Sequence, residues 1–234
     1  MPAPALVLFD IDGTLIRRAG PHHREALVDA VRHVTGLATT TEHIPVHGML
    51  DRDILSRMMR DAGAPQAQIR RAMPAIVERA QALYMRSCPD LAGKVCPGAR
   101  SLLSRLQRRG VPLILVTGNL TGIGWRKMDR CGLRTYFRFG AFAEMARDRA
   151  GLARLAIRHA RQQGWIERAA VISLVGDAPS DILAAKANSA RAVAVHTGIS
   201  TREELLAYEP DFLVQDLNEV RLEMLLSAGS AGRR

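Results

Sequence analysis

Two aspartates follow a short apolar run near the start of the chain. The run Leu6–Phe9 leads directly into Asp10, and a second acid, Asp12, comes just before Gly13. A short apolar run that ends at a turn signal predicts a buried strand, and side-chain alternation along a strand points both acids to the same side. Two carboxylates this close repel each other unless a cation lies between them. The pair therefore indicates a site for a hard cation such as Mg²⁺, with one acid free to attack or to carry a proton.

A threonine-glycine turn follows a second apolar run. The run Val111–Val116 is succeeded by Thr117, Gly118 and Asn119. The backbone N–H groups of such a turn, at the start of a helix, can hold an oxyanion or a phosphate. By itself a turn of this kind more often only caps a helix. The turn indicates an anion-binding site only when other polar residues lie beside it.

Two more acids open a helix after a third apolar run. This run ends at Val175, and Gly176 then leads into Asp177, with Asp181 close behind. In a parallel sheet the carboxyl ends of the strands meet at one edge, where a ligand crevice forms. The side chains that we expect to converge there are Asp10, Asp12, Thr117, Asp177 and Asp181. Gathered carboxylates are destabilising unless a divalent metal and a positively charged partner neutralise them.

Strands that alternate with helices must position these residues. Beyond the first run, the predicted strands are Val111–Val116, Ala170–Val175, Ala192–His196 and Asp211–Val214, with a weaker one at Tyr136–Ala141. The predicted helices between them are Ala99–Arg109, Leu120–Cys131, Arg149–Gln163 and Pro179–Asn188. This alternation is typical of a parallel sheet with helices on both faces. We therefore predict an α/β fold with a Rossmann-like parallel sheet as its core.

The stretch 17–94 interrupts this alternation because it is helical throughout. Its predicted helices are Pro21–Thr35, Asp51–Ala62 and Pro65–Cys88. A helical block that follows the first strand predicts an inserted all-helical cap domain over the crevice. The predicted domains are a core at 1–16 and 95–226 and a cap at 17–94. Residues 227–234 are rich in small residues and are expected to form a flexible tail.

Composition limits the compartment and the partners. The chain of 234 residues has no apolar run of membrane-spanning length, and its cysteines Cys88, Cys96 and Cys131 lack metal-ligand spacing. We expect a cytoplasmic protein with reduced, buried cysteines. The net charge of +10 is compatible with nucleic-acid binding, but the basic residues are spread along helical stretches and no recognition motif accompanies them, so nucleic-acid binding is not expected. A positive field would also attract small anionic substrates. Trp125 and Trp165 are expected to pack in the core rather than stack on bases.

Three motifs together identify a family. Asp10-Ile-Asp-Gly-Thr-Leu, Thr117-Gly-Asn and Gly176-Asp-Ala-Pro-Ser-Asp181, in this order and spacing, closely resemble the motifs of the haloacid dehalogenase-like superfamily of hydrolases. The helical insert resembles the C1 type of cap in that superfamily. Within the superfamily the chain is most similar to the phosphoglycolate phosphatase-like group.

The resemblance implies roles for the acids. Asp10 would be the nucleophile that forms an aspartyl phosphate, and Asp12 would be the general acid and base. Mg²⁺ would be bound by Asp10, the backbone carbonyl of Asp12 and Asp177, with Asp181 supporting it through a water or a neighbouring ligand. An aspartate at position 12 also favours phosphate chemistry, because the dehalogenases of the superfamily have a tyrosine there.

The resemblance also implies a phosphate seat and reveals one departure. Thr117 and the amides of Gly118 and Asn119 would hold the phosphoryl oxygens. The third motif of the superfamily normally supplies a lysine, whereas this chain offers only Arg147 and Arg149. Because Arg149 opens a predicted helix, we expect it to neutralise the nucleophile and the phosphoryl group, with Arg147 as the alternative. Arginine can bind phosphate with two donors but is not a compact ammonium, so the exchange is not neutral.

The expected activity is that of a Mg²⁺-dependent phosphatase for a small phosphorylated metabolite, such as phosphoglycolate or a sugar phosphate. Arg24 and Arg52 in the cap could grip a substrate carboxylate, or each could be a solvated helix residue. Two alternatives stay open: phosphoglucomutase-type phosphoryl transfer on the same scaffold, and a non-catalytic nucleic-acid-binding module. The intact pair Asp10 and Asp12 argues against the second.

Overall fold

One parallel sheet forms the centre of the protein. The structure is a computed structural model that describes residues 1–17 and 20–227. The strands in this part of the chain are β1 Ala3–Phe9, β2 Leu113–Val116, β3 Phe139–Ala141, β4 Ile166–Gly176, β5 Arg191–Val195 and β6 Phe212–Val214. Their order is β3-β2-β1-β4-β5-β6, and every pairing is parallel. The chain therefore moves outwards from β1 to β3 and then returns to β4, which makes the β1/β4 boundary the topological switch point where a crevice opens.

Helices cover the sheet and complete the predicted alternation. Helix α4 Ala99–Arg108 directly precedes β2. The helices after β2 are α5 Thr121–Arg130, α6 Arg149–Gln162, α7 Pro179–Lys186, α8 Arg202–Leu206 and α9 Leu222–Leu226. The prediction of an α/β fold with a parallel core sheet is confirmed. The two short helices α8 and α9 and the first four residues of β4 were not predicted.

Between β1 and β2, the described residues contain helices and isolated bridges but no strand of the main sheet. The helices of this helical insert are α1 His22–Thr35, α2 Asp51–Asp61 and α3 Gln66–Ser87. The two connections to the sheet run side by side, since Ile16 bridges Val95 and the backbone N–H of Arg17 donates a 2.7 Å hydrogen bond to the carbonyl of Lys94. The predicted domain boundaries at 16/17 and 94/95 fall at this junction and stay predictions. Of the predicted tail, residues 228–234 lie outside the described part of the chain.

The core is aliphatic, as the composition requires. The β1 residues Leu6, Val7 and Leu8 are fully buried, and burial of one such side chain contributes roughly 1.5–3 kcal/mol. Cys88, Cys96 and Cys131 are free and buried, which agrees with the prediction for the cysteines. Trp125 and Trp165 are partly buried and pack against the core cluster. No helix in the described residues is both long and apolar enough to cross a membrane.

Candidate active site

Three buried aspartates meet where the strand order reverses. Asp10 follows β1, Asp177 follows β4 and Asp181 lies in the first turn of α7. One oxygen from each carboxylate lies within 4.8 Å of the others, and all three side chains are buried. The structure thus brings together three acids that are far apart in the sequence, at the edge where we expected them to converge.

The turn after Asp12 leaves space for this cluster because Gly13 has no side chain. Its φ of 86° lies in the left-handed region that favours glycine. A Cβ at this position would overlap the carboxylate of Asp177. The next residue, Thr14, donates a 3.1 Å hydrogen bond from Oγ1 to Asp177 Oδ1. The Gly-Thr pair of the first motif therefore packs and orients an acid of the last motif.

The electrostatics of the cluster fit a cation. Burial, together with the neighbouring charges of Asp10 and Asp181, raises the pKa of Asp177 well above its ordinary value. Burial likewise raises the pKa of Asp181 to about 7, against the opposing effect of Arg149. Asp177 Oδ2 and Asp181 Oδ1 are buried and have no hydrogen-bond partner among the described residues. Unpartnered carboxylate oxygens that converge in this way suit a hard divalent cation such as Mg²⁺.

Arg149 lies against the cluster from the first residue of α6. Its Nη1 donates hydrogen bonds of 2.9 Å to Asp10 Oδ1 and 3.2 Å to the carbonyl of Val116. Its Nε is 3.3 Å from Asp181 Oδ1. Burial alone would lower the pKa of Arg149, but the carboxylates of Asp181 and Asp10 outweigh this effect and raise it. The side chain is only 8 % exposed, whereas Arg147 is exposed, so of the two arginines Arg149 is the one that contacts the buried acids.

The turn after β2 places its residues in different surroundings. Thr117 is fully buried, and its Oγ1 accepts a 2.8 Å hydrogen bond from Asn119 Nδ2. The carbonyl of Gly118 accepts a 2.7 Å hydrogen bond from the backbone N–H of Asp51. A Cβ on Gly118 would overlap the carbonyl of Met49. The turn that we predicted as a phosphate seat is therefore also the docking point for the start of α2.

Asp12 does not share the surroundings of the other acids. Its carboxylate accepts hydrogen bonds from Lys127 Nζ at 2.8 and 2.6 Å and from Asn119 Nδ2 at 2.8 Å. Desolvation would raise the pKa of Asp12, but the ammonium of Lys127 and the side-chain amide of Asn119 outweigh it and lower the pKa. The carboxylate is not part of the three-aspartate cluster. The expected contact of the Asp12 backbone carbonyl with a metal stays a prediction.

Lys127 is a residue of this site that the sequence reasoning missed. It is only 1 % exposed, which is exceptional for a lysine. The available signal was its position four residues after Ile123 in α5, on the helix face that also carries Met128 and is buried. Helical periodicity places residues i and i+4 on the same face. A lysine on an apolar face next to a predicted acid site could have been recognised as a partner for a carboxylate.

Two histidines of the helical insert, His23 and His47, contact residues of the site. His23 Nε2 lies 3.0 Å from Asp51 Oδ2, and His23 Nδ1 lies 3.1 Å from Lys127 Nζ. His47 Nε2 lies 2.9 Å from Ser200 Oγ and 3.7 Å from an oxygen of the clustered Asp177. Burial lowers the pKa of His47. The insert thus contacts Lys127, which is the partner of Asp12, and Asp177 of the three-aspartate cluster.

The two predicted substrate arginines lie further out. Arg24 and Arg52 are exposed, and no polar contact in the described residues joins either of them to Asp10 or Asp12. Arg52 lines a cavity of about 570 Å³ between α2 and α3, to which Glu144 also contributes. Their role in gripping a substrate carboxylate stays a prediction.

Comparison with known proteins gives consistent matches. Residues 4–188 match the protein family described as haloacid dehalogenase-like hydrolase. The chain is 28 % identical over 221 residues to the phosphoglycolate phosphatase of Synechococcus elongatus, covering 89 % of this chain and 92 % of that protein. It is 26 % identical over 216 residues to the probable phosphatase IndB of Dickeya dadantii, covering 92 % and 91 % of the two chains.

Among solved structures, the fold is similar to a mutant of CbbY from Rhodobacter sphaeroides in complex with xylulose-(1,5)bisphosphate. The TM-score is 0.72 at 21 % identity, and the match covers 95 % of this chain and 99 % of that one. Similarity over nearly the full length of both chains includes the helical insert as well as the sheet. Solved structures therefore share the fold that the sequence predicts.

Proposed function

Because the chain belongs to the haloacid dehalogenase-like hydrolase family, we propose that it is a Mg²⁺-dependent phosphatase that forms an aspartyl phosphate on Asp10. Family membership confirms the resemblance drawn from the three motifs. The substrate that we propose is a small phosphorylated metabolite of the phosphoglycolate or sugar-phosphate kind. The observation that carries the proposal is the buried Asp10 carboxylate, which is paired with Arg149 and clustered with Asp177 and Asp181.

In the first step an oxygen of Asp10 attacks the phosphorus, and the bond from phosphorus to the leaving oxygen breaks. Asp12 supplies the proton for the departing alkoxide. Because Lys127 and Asn119 lower the pKa of Asp12, its carboxylate takes up that proton in the substrate complex before it passes the proton on. Arg149 neutralises Asp10 and the phosphoryl oxygens, and Thr117 with the amides of its turn holds those oxygens. Phosphoryl transfer depends mainly on such positioning and charge neutralisation.

In the second step Asp12, now ionised, takes a proton from water as the water attacks the phosphorus and releases Asp10. The carboxylates of Asp10, Asp177 and Asp181 and the carbonyl of Asp12 would hold Mg²⁺, which neutralises phosphoryl charge when bound. The helical insert, docked on the turn after β2, excludes bulk water from both steps.

The test is a panel of phosphorylated metabolites, including 2-phosphoglycolate and hexose phosphates, assayed for phosphate release with and without Mg²⁺. We expect Mg²⁺-dependent release by the parent, and none by the variant Asp10→Asn in a folded state. Isomerisation of a hexose phosphate without phosphate release would indicate the mutase alternative. Salt-dependent binding to random DNA without turnover would indicate the nucleic-acid-binding alternative.

A further inference from the structure

We propose that Lys127 is a positioning residue for the acid/base Asp12, and that His23 and Asp51 connect this function to the docking of the helical insert. The proposal rests on the proposed function, because it assigns Lys127 a part in the proton transfer by Asp12. It adds a residue outside the three motifs, supplied by the middle of α5.

The contacts of the Lys127 ammonium use all of its hydrogen-bonding capacity. An ammonium has three N–H donors, and three acceptor groups surround this one. The Asp12 carboxylate lies at 2.6 Å, Asn119 Oδ1 at 2.6 Å and His23 Nδ1 at 3.1 Å. Asn119 in turn donates from Nδ2 to Asp12 Oδ2 at 2.8 Å. Asp12 is therefore held by two donors that also hold each other, which fixes the direction of its carboxylate.

The hydrogen-bonding roles of the two ring nitrogens of His23 follow from their partners. Its Nδ1 faces an ammonium, which can only donate, so Nδ1 accepts and Nε2 carries the proton. Nε2 then donates to Asp51 Oδ2 at 3.0 Å. His23 therefore bridges a cation of the core and a carboxylate of the insert in a single tautomer.

Asp51 ties this bridge to the turn that precedes α5. Its Oδ2 accepts a 2.7 Å hydrogen bond from the backbone N–H of Leu120, and its own backbone N–H donates to the carbonyl of Gly118 at 2.7 Å. These contacts form only when the start of α2 lies on the turn. The position of Asp12 is thus coupled, through Lys127 and His23, to the docked state of the insert.

A purely structural role for Lys127 would have a different kinetic consequence. If the ammonium only stabilised the fold, its loss would lower activity equally for all substrates. If it positions Asp12 for proton transfer, its loss affects substrates whose leaving group needs a proton and spares those whose leaving group does not. The parameter kcat/KM reports on the steps up to departure of the leaving group, so it isolates this first proton transfer from the later attack of water.

The experiment compares Lys127→Met with the parent on two probes, 2-phosphoglycolate and 2,4-dinitrophenyl phosphate, at saturating Mg²⁺. We expect kcat/KM to fall at least about 30-fold for 2-phosphoglycolate, less than the ~10²–10⁴-fold contribution of general acid–base catalysis, because Asp12 itself remains. For the dinitrophenyl ester, whose leaving group departs without a proton, we expect a fall below about 3-fold. The matched control is Lys186→Met, since Lys186 pairs with Glu209 at 3.3 Å on the surface, and both of its values should equal those of the parent.

A second variant keeps the test informative if Lys127→Met folds poorly. His23→Ala leaves Lys127 and Asp12 in contact but removes the bridge to Asp51, and we expect a selective fall of about 3-fold to 10-fold for 2-phosphoglycolate alone. Equal losses on both probes, in whichever of these variants folds, would overturn the proposal. A fully active Asp10→Asn would instead refute the proposed function, so the two failures are distinguishable.

Discussion

Replacement of Arg149 by methionine should strongly lower kcat/KM, because it removes the cation paired with the nucleophile Asp10. The guanidinium lies 2.9 Å from Asp10 Oδ1, and two unit charges at that distance interact by about 6 kcal/mol at an effective dielectric constant of ~20. Desolvation of both charges offsets part of this, and breaking a buried pair costs about 3–5 kcal/mol net. If this loss appears in the transition state, kcat/KM falls by about 10²–10⁴-fold, because each 1.36 kcal/mol is about tenfold.

The sequence offers a matched control for this substitution. Arg147 lies on the same segment but is exposed, so Arg147→Met should retain kcat/KM within about 2-fold of the parent, as surface charges contribute little. Arg149→Lys keeps the charge but cannot reach Asp10, the Val116 carbonyl and Asp181 together, so we expect a loss of about tenfold. The assay is Mg²⁺-saturated release of phosphate from 2-phosphoglycolate. The reasoning is refuted if Arg149→Met stays within tenfold of the parent, or if Arg147→Met falls as far.

Three further outcomes follow from the same geometry. Because the pKa of Asp181 is raised from 3.8 to about 7, the folded, metal-free protein loses stability as pH rises through this window; Asp181→Asn should unfold several degrees above the parent near pH 8 without Mg²⁺, and a lower unfolding temperature would contradict this. Gly13→Ala places a side chain at a φ of 86° and against Asp177, so we expect at least about 2 kcal/mol lost in denaturant unfolding, whereas unchanged stability would be inconsistent with the packing. Burial raises the pKa of the Cys96 and Cys131 thiols to about 11, so iodoacetamide should leave both unmodified in the native protein and label them after unfolding; rapid native labelling would show that they are accessible.

The sheet could be predicted because a local sequence pattern marks most of its strands. Short apolar runs rich in β-branched residues mark β1, β2, β4 and β5, and the helices between them are long enough to show their period. Helices α8 and α9, of five residues each, are too short for periodicity to emerge. The start of β4 around Glu167 and Arg168 is polar and exposed, so it has no apolar pattern from which a strand could be predicted.

The site was predictable as far as strand ends define it. Asp10 and Asp177 follow adjacent strands, and Arg149 opens a helix, so topology alone brings them to one edge. The partner of Asp12 was not predictable in this way, because Lys127 lies inside a helix and meets Asp12 only through the packing of α5 against the first turn. The contacts that His23 and His47 of the insert make with the site were not predictable either, since the docking angle of a helical insert has no local sequence signal.

Rapid quenching during turnover of a ³²P-labelled substrate tests the covalent step at Asp10 most directly. We expect the parent to carry label on the peptide that contains Asp10, bound as an acyl phosphate that hydroxylamine releases. The folded variant Asp10→Asn should carry none. Absence of label from the parent across the first turnover, or equal labelling of Asp10→Asn, would contradict an aspartyl-phosphate mechanism.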